Sequence, residues 1–283
     1  MSLLGNLGVI TSEITLSLYP ILIKNIPTNF HTQLLSRFLV FSIGALIFYT
    51  GQKIDISKSL IYGCLTIFHV VVSYLAFSNL SAGTAMSLFY TYPIMNVIAG
   101  VLFLGEELSV YAIPFLILGS LGTYLISQEI PNEEVKGENL FKLPKDLAVW
   151  AGLFAAVSET LMFLVIRDTK TSNPIDSMLH LYPGALFIFG TYLLITKQIP
   201  TIDTNPINWR NMALFNLIIG FAGYCLRFYS INSVSTIVFS LLSFVGVISS
   251  YAFGKYFVNE AASLKTYIGA FLIASASSGV TLL

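Results

Sequence analysis

The stretch QEIPNEEVKGENLFKLPKD, from Gln128 to Asp146, divides the chain into two halves of nearly equal length. Each half contains five apolar stretches, and their lengths are close to the about 20 helical residues that cross a bilayer. Five crossings are an odd number, so two such units in tandem must lie in the membrane in opposite orientations. We therefore predict an all-α polytopic membrane protein with ten transmembrane helices, arranged as two inverted five-helix repeats.

The hydropathy pattern also predicts where the repeats and their helices begin and end. We assign residues 1–127 to the first five-helix repeat, 128–146 to a polar linker and 147–283 to the second, inverted repeat. Inverted repeats are typical of secondary transporters, whose substrate sites lie near the bilayer midplane between the repeats. The predicted spans are 3–23, 31–50, 58–77, 82–103 and 109–127, then 147–166, 176–196, 210–230, 233–253 and 262–282.

Composition restricts the class of protein. Of the 283 residues, 55% are hydrophobic and only 10% are charged, whereas soluble domains carry about 25% charged residues. The net charge is zero, which leaves no basic face for nucleic acid. Cys64 and Cys225 both lie in apolar stretches, so neither a disulfide framework nor a metal site is expected. No nucleophile–base arrangement is visible, and we expect neither an enzyme nor a bound cofactor.

The expected partners are the lipid bilayer, a small-molecule substrate and protons. We expect an integral, multi-pass membrane protein that is either a monomer or a homodimer. Small residues recur in the tenth span between 269 and 279, and Gly119 and Gly122 give the fifth span a milder version of this pattern. Small residues allow close helix contact in lipid, so they predict packing between the repeats or in a dimer.

Two glutamates lie deep in apolar stretches, where an ionisable side chain is costly and faces a cavity or a partner. Glu13 follows Ser12 in the first span of repeat one, and Glu159 follows Ser158 in the first span of repeat two. At 1.5 Å per residue they lie about 15 and about 18 Å from the starts of their helices, measured from opposite membrane faces. Both carboxylates are therefore expected near the midplane, where they would bind the coupling proton or a substrate amine. Alternatively, each is held by neighbouring hydroxyls or by a buried base.

Four further polar side chains are candidates for the same site. Arg227 in the eighth span would neutralise a glutamate or bind an anionic substrate through its planar fork, or it snorkels to the nearby turn. His69 in the third span would relay protons, or it stays neutral and bonds a backbone carbonyl. Tyr92 and Asn96 share a helical face beside Pro93, which can kink the fourth span. We expect this pair to line the substrate cavity, with packing or interface anchoring as the alternative.

A motif in the fourth and fifth spans resembles a known family. Residues 90–109 run from Tyr-Thr-Tyr-Pro, through an apolar stretch and Leu-Gly-Glu, to a serine that opens the fifth span. This pattern resembles the signature of the drug/metabolite transporter superfamily, specifically its EamA-like branch. We expect structural roles for the motif residues and, for the two serines, capping of the final span of each repeat. These residues are Pro93, Glu106 and Ser109 in the first repeat, and Glu260 and Ser263 in the second.

The beginning of each repeat extends the resemblance. Lys24 ends the first span and Arg37 opens the second, and we expect structural roles for both; Arg167 takes the place of Lys24 in repeat two. Repeat two departs from the pattern, because no proline matches Pro93 and Tyr182-Pro183 stands where Arg-Phe is expected. The resemblance implies ten-helix export or exchange of small metabolites, with both termini in the cytoplasm. The distribution of basic loop residues instead favours non-cytoplasmic termini, so the side of the termini stays open.

Together these features predict a secondary transporter, an exporter or exchanger of a small polar organic metabolite such as an amino acid or amine. We expect it to be proton-coupled and to work by alternating access. One alternative is an exchanger of nucleotide-sugars or phosphorylated metabolites, which needs more than one deep base; only Arg227 qualifies unless Lys24 and Arg37 reach inward. An alternative of another class is a non-transporting membrane scaffold or receptor, in which the deep polar residues serve stability alone.

Overall fold

The structure is a computed structural model that describes residues 2–49, 51, 53–127, 141–169, 173–259 and 263–282. Every regular element within these residues is a helix. Eight helical segments are long and apolar enough to cross a membrane, which confirms an all-α, multi-pass membrane protein. These segments are Leu3–Asn25, Phe30–Ile47, Ile56–Asn79, Ala82–Leu104, Lys145–Thr169, Pro174–Ile195, Pro206–Ser233 and Thr236–Phe257.

Two shorter helical segments complete the set of ten, and each is the last of its repeat. Val110–Ile126 follows the fourth long segment. Leu264–Ser278, extended by a 3₁₀ turn at Gly279–Leu282, ends the second repeat. We number all ten as spans 1–10 in chain order. Their ends lie within a few residues of the predicted ones, because the length of an apolar run follows the thickness of the bilayer that it crosses.

Spans 1 and 4 are each interrupted next to a proline. Pro20 and Pro93 both lie in the first turn of a new helix, where a proline is tolerated because its missing N–H would be unpaired anyway. The kink predicted from Pro93 is therefore present, and span 1 has a similar break that was not predicted. The helices are Leu3–Leu16 and Tyr19–Asn25 in span 1, and Ala82–Phe89 and Tyr92–Leu104 in span 4.

Span 9 breaks at the corresponding place without a proline. Its helices are Thr236–Ser243 and Val245–Val258, and Phe244 stands between them. The Phe244 ring is fully buried against Gly119 of span 5, where an added Cβ would lie only 2.5 Å from a ring carbon. This break is thus supported by packing between spans, which explains why the local sequence did not predict it.

Span 8 contains a six-residue π-helical turn. Pro206–Phe215 leads into the π turn Asn216–Phe221, and Ala222–Ser233 completes the span. The Asn216 amide inside this turn donates to the Ser36 hydroxyl of span 2 at 3.1 Å. π turns inside α-helices occur mostly at functional sites, and this one lies on the span that carries the deep arginine.

In both repeats a serine caps the helix that follows the turn between the third and fourth spans. The Ser81 hydroxyl accepts a hydrogen bond from the Thr84 backbone at 3.2 Å and caps span 4. The Ser235 hydroxyl accepts one from the Val238 backbone at 3.3 Å and caps span 9. A serine in this position satisfies a backbone N–H that the first turn leaves unpaired.

The two motif serines before the final spans behave differently from each other. Ser263 caps span 10, accepting from the Lys265 backbone at 3.0 Å, and its own N–H bonds the Thr266 hydroxyl at 3.3 Å. Ser109 makes no side-chain cap bond, so the capping role expected for it is wrong. The chain enters span 5 through a 3₁₀ turn, in which the Ala112 N–H already bonds the Ser109 carbonyl at 3.0 Å.

Spans 5 and 10 pack backbone against backbone. A Cβ added at Gly122 would lie 2.6 Å from the Gly269 carbonyl oxygen, and one added at Gly269 would lie 2.6 Å from the Gly122 carbonyl oxygen. Of the two predicted uses of these small residues, Gly122 and Gly269 therefore serve packing between the repeats. Close backbone approach of this kind stabilises helix pairs in lipid.

Candidate functional site

Glu13 lies at the centre of a buried polar cluster, and its side chain is completely buried in span 1. The Tyr90 hydroxyl donates to Oε2 at 2.5 Å, and the Tyr92 hydroxyl donates to Oε1 at 3.0 Å. Ser243 donates to Oε1 at 3.2 Å, and Arg227 forms an ion pair with the same oxygen. Donors from spans 4, 8 and 9 therefore surround one carboxylate from span 1.

The helix breaks bring two of these donors to Glu13. Tyr90 directly follows the first helix of span 4, and Ser243 is the last residue of the first helix of span 9. Gly246 is also required in this arrangement, because a Cβ there would lie 1.7 Å from the Tyr90 hydroxyl. The interruptions thus aim polar side chains into the bilayer interior, where irregular backbone is tolerated only inside the protein.

Arg227 connects the two glutamates. Its Nε donates to Glu159 Oε1 at 2.9 Å, and its Nη2 lies 2.7 Å from the same oxygen without hydrogen-bond alignment. Its Nη1 pairs with Glu13, and the guanidinium lies over the Tyr92 and Phe239 rings at 4.9 and 5.4 Å. The sequence left open whether Arg227 pairs with a glutamate or snorkels; in the structure it is buried and bound to both glutamates.

His69 extends this chain of contacts on span 3. Its Nε2 lies 3.3 Å from Glu159 Oε2, and its Nδ1 lies 3.0 Å from the Ser158 hydroxyl. Ser158 in turn donates to the Ala155 carbonyl at 2.9 Å. The side chain of His69 is 1% exposed. Its polar side-chain contacts are thus to Ser158 and Glu159 of span 6, which sequence reasoning had not paired with it.

Arg37 is a second fully buried guanidinium, which sequence reasoning treated only as a structural residue. Span 2 begins at Phe30, so Arg37 lies about 10 Å into the helix. The predicted start at residue 31 differs by one residue, but the motif around Arg37 was interpreted as the opening of the span rather than as a deep position. Its side chain lies within a ring of aromatic residues, and its Nη2 donates to the Tyr182 hydroxyl at 3.4 Å. Ring centroids around its Cζ lie at 4.8 Å for Tyr19, 5.0 Å for Tyr224, 5.3 Å for Phe41 and 5.6 Å for Tyr74.

A small cavity lies between the two arginines. Its volume is about 20 Å³, room for about one water molecule. Arg37 and Arg227 line it, together with His69, Ser73 and Tyr90, and an apolar wall that includes Phe77, Met86 and Phe89. Tyr19, which also lines the cavity, was not singled out, because most of the 15 tyrosines were expected to anchor at lipid interfaces or to pack.

Tyr92 and Asn96 have different surroundings, although they share a helix face. Tyr92 bonds Glu13, whereas Asn96 is completely buried and neither its Nδ2 nor its Oδ1 has a hydrogen-bond partner among the described residues. Asn96 does not line the cavity between the arginines. The structure therefore brings Glu13, Glu159, Arg227, His69 and Tyr92 together and leaves Asn96 apart.

One motif residue forms an ion pair at a membrane face. Glu106 follows span 4 and pairs with Arg167 in the last turn of span 6, with Oε1 at 3.1 Å from Nη2. Arg167 also donates to the Val234 carbonyl at 2.9 Å and contacts the Ile231 carbonyl. We call this set of contacts the latch, because it ties the fourth span of repeat one to repeat two. Lys24 lies half-buried in the last turn of span 1, and Glu260 lies outside the described residues.

Comparisons with known proteins agree with this architecture. A family model described as the EamA-like transporter family matches residues 3–128 and 146–282. A solved crystal structure aligns with 98% of this chain and 98% of its own, at a TM-score of 0.71 and 14% sequence identity. At that identity the likeness concerns the fold alone. Among curated proteins, no sequence matches this chain.

Proposed function

Because this chain belongs to the EamA-like transporter family, within the drug/metabolite transporter superfamily, we propose that it moves a small polar organic metabolite across the membrane by alternating access. The proposed substrates are amino acids or amines, exported or exchanged, with coupling to protons. The observation that carries the proposal is the buried chain of contacts Glu13–Arg227–Glu159–His69, to which both repeats contribute. Ionisable side chains at such depth are costly and mark substrate and proton paths.

The proton site that we propose is the pair of His69 and Glu159. With Nε2 protonated, the imidazole N–H lies 3.3 Å from Glu159 Oε2, and the Ser158 hydroxyl can donate to Nδ1 across the 3.0 Å contact. With a second proton on Nδ1, the ring donates to Ser158 instead, and the serine hydrogen points to the Ala155 carbonyl at 2.9 Å. One proton is thus gained by turning a single hydroxyl group. Arg227 and Glu13 complete the charged surroundings of the pair.

The size of the cavity and the latch support the proposal of alternating access. A cavity of about 20 Å³ holds about one water molecule, so an organic substrate enters only when the spans around it separate. The latch of Glu106 and Arg167 holds spans 4 and 6 together at one membrane face. Opening at that face therefore requires this ion pair to break, which supports a gating role for it.

Flux measurements in proteoliposomes test the coupling. Purified protein is assayed for uptake and counterflow of alanine, leucine, phenylalanine and their decarboxylated amines, with a pH gradient in either direction. We expect a gradient to accelerate uptake in the wild type, and His69→Gln and Glu159→Gln to lose that acceleration at least tenfold while retaining counterflow. Glu107→Gln is the matched control, because Glu107 is exposed at the membrane face beside Glu106.

The outcomes separate the parts of the proposal. If both variants respond to the gradient as the wild type does, the proton site at His69 and Glu159 is wrong. If no compound moves in the wild type, transport of this substrate class is wrong. A stable protein that then still binds a compound without moving it is a receptor or scaffold, the alternative class.

One observation favours a second candidate within transport. Exchange of phosphorylated metabolites or nucleotide-sugars needs more than one deep base, and Arg37 is buried beside the cavity together with Arg227. Proteoliposomes loaded with glucose 1-phosphate or UDP-glucose test this candidate. Rapid exchange of either compound, unaffected by Glu159→Gln, would favour the exchanger.

A further inference from the structure

We propose that Arg37 binds the carboxylate of the substrate, so that the transported molecule carries a single carboxylate group. The inference rests on the proposed transport function and narrows it: an amino acid or other small monocarboxylate fits, and an amine without a carboxylate does not. A ring of aromatic side chains positions the guanidinium beside the cavity, and its Nε has no hydrogen-bond partner among the described residues.

The first support is that Arg37 has no acidic partner among the residues that the structure describes. Arg227 lies within 4 Å of two carboxylates, whereas no carboxylate among the described residues lies that close to Arg37. Arg37 is 2% exposed, and its Nε has no hydrogen-bond partner among the described residues. Buried charges in proteins are ordinarily paired. Aromatic faces attract a cation without neutralising it, so the charge of Arg37 stays available to a ligand.

The second support is the chemistry of the cavity wall. The Ser73 hydroxyl is buried without a hydrogen-bond partner among the described residues, and Ser73 lines the same cavity as Arg37. No aspartate or glutamate is among the residues that line it. Three residues with unsatisfied buried groups, Arg37, Ser73 and Arg227, thus line one cavity. Unsatisfied buried polar groups are rare and require an explanation, and an anionic ligand group supplies one.

The third support is the number of available charges. Arg227 already shares its charge with Glu13 and Glu159, so Arg37 is the uncompensated cation at the cavity. One such charge matches a monoanion better than a doubly charged phosphate. The guanidinium also presents its donors in a planar fork that fits a carboxylate. Phe77, Met86 and Phe89 offer an apolar wall for the rest of the molecule.

A ligand series measured on purified full-length protein tests the proposal. Thermal shifts are recorded at pH 7 for alanine, leucine and phenylalanine, for their deaminated analogues propionate, 4-methylpentanoate and 3-phenylpropionate, and for their decarboxylated amines. Glucose 1-phosphate is added as the phosphate probe. We expect carboxylate-bearing compounds to stabilise the wild type and the amines to have no effect. Amines that bind as well as the matching amino acids would overturn the proposal. Stabilisation of the wild type by glucose 1-phosphate alone would also overturn it, and so would the lack of any stabilisation by carboxylates.

Variants assign the effect to Arg37. Arg37→Gln is expected to weaken carboxylate binding at least tenfold, and Arg37→Lys less, because lysine keeps the charge but loses the fork. Arg210→Gln removes the same charge at an exposed position and is expected to bind as the wild type does. Unchanged carboxylate affinity in Arg37→Gln would overturn the assignment. If Arg37→Gln does not fold, the affinity of Arg37→Lys for carboxylates and the ligand series on the wild type still test whether Arg37 binds the carboxylate.

The same compounds in proteoliposomes separate this inference from the proposed function. Carboxylate binding that depends on Arg37 in a protein without measurable flux would keep the anion site and overturn transport. Transport of amines that Arg37→Gln leaves unchanged would keep transport and overturn the anion site.

Discussion

At the scale of single residues, Arg227 holds the buried charges together. One guanidinium serves two carboxylates that come from the first spans of the two repeats, Glu13 and Glu159. The hydroxyl groups of Tyr90 and Tyr92 donate to Glu13, and His69 Nε2 lies 3.3 Å from Glu159 Oε2. Removing the shared cation would leave two carboxylates facing each other in a site with almost no solvent.

We therefore predict that Arg227→Met lowers the free energy of unfolding by about 3–5 kcal/mol, the usual effect of removing one partner of a buried ion pair. Adding Glu13→Gln to Arg227→Met should recover part of this loss, because it removes one of the stranded charges. Denaturation in mixed micelles measures both values. Arg210→Met at an exposed position should stay within about 0.5 kcal/mol of the wild type. A similar small effect for Arg227→Met would contradict the shared ion pair.

Gly246 provides a second prediction at this scale. In Gly246→Ala the new methyl group would meet the Tyr90 hydroxyl at 1.7 Å, so Tyr90 must leave Glu13. We expect a loss of about 1–3 kcal/mol in stability together with slower proton-coupled uptake. Gly190→Ala in span 7 is the control, because nothing lies within 4 Å of the added Cβ, and it should be neutral or slightly stabilising. Equal behaviour of the two variants would refute the role of Gly246.

At the scale of helices, the sequence predicted the number and position of the spans better than their shapes. An apolar run long enough to cross the bilayer is visible without any tertiary information, and so is a proline such as Pro93. The break at Phe244 depends on the fit of its ring against Gly119, a contact between distant parts of the chain. The cap at Ser109 is missing because the chain enters span 5 through a 3₁₀ turn. Whether a 3₁₀ or an α-helical turn forms there also depends on contacts with distant parts of the chain.

The contact between spans 5 and 10 can be tested directly. Gly122→Ala would place a methyl group 2.6 Å from the Gly269 carbonyl oxygen, and the two backbones must move apart. We expect a loss of about 1–3 kcal/mol in the free energy of unfolding, although alanine is the better helix former. Denaturation in mixed micelles gives the value, with Gly190→Ala as the control. A stabilised Gly122→Ala protein would show that the spans do not depend on this approach.

At the scale of the whole molecule, the charged residues of the site gave a strong signal in the sequence, and its tyrosines gave a weak one. Glu13 and Glu159 could be singled out because carboxylates are rare in apolar runs, and Arg227 for the same reason. The tyrosines around Arg37 could not, since tyrosine is also common at lipid interfaces. Arg37 itself stands where Tyr182 stands in repeat two, and the two contact each other at 3.4 Å. At these corresponding positions one repeat supplies an arginine and the other a tyrosine, and their contact exists only when the two repeats are packed together.

The latch makes a prediction about access to the cavity. In a protein carrying Cys64→Ala and Cys225→Ala, Ser73→Cys places a reactive thiol on the cavity wall. We expect Arg167→Gln to increase its labelling by a membrane-impermeant maleimide severalfold from the face that carries the latch, because Glu106 loses its partner. Labelling from the other face should not rise. Arg210→Gln near the start of span 8 is the control, and an equal increase from both faces would contradict a one-sided gate.

The pairing of Glu13 with Arg227 also has a consequence for biosynthesis. The two residues are 214 positions apart, so span 1 is inserted long before its cation exists. At bacterial to eukaryotic elongation rates of about 5–20 residues per second, the interval is roughly 10–40 s. During that time Glu13 needs a substitute partner: a proton, water in the insertion channel, or a chaperone. A ribosome that stalls within the second repeat would leave this carboxylate exposed to lipid, a recognisable mark for membrane-protein quality control.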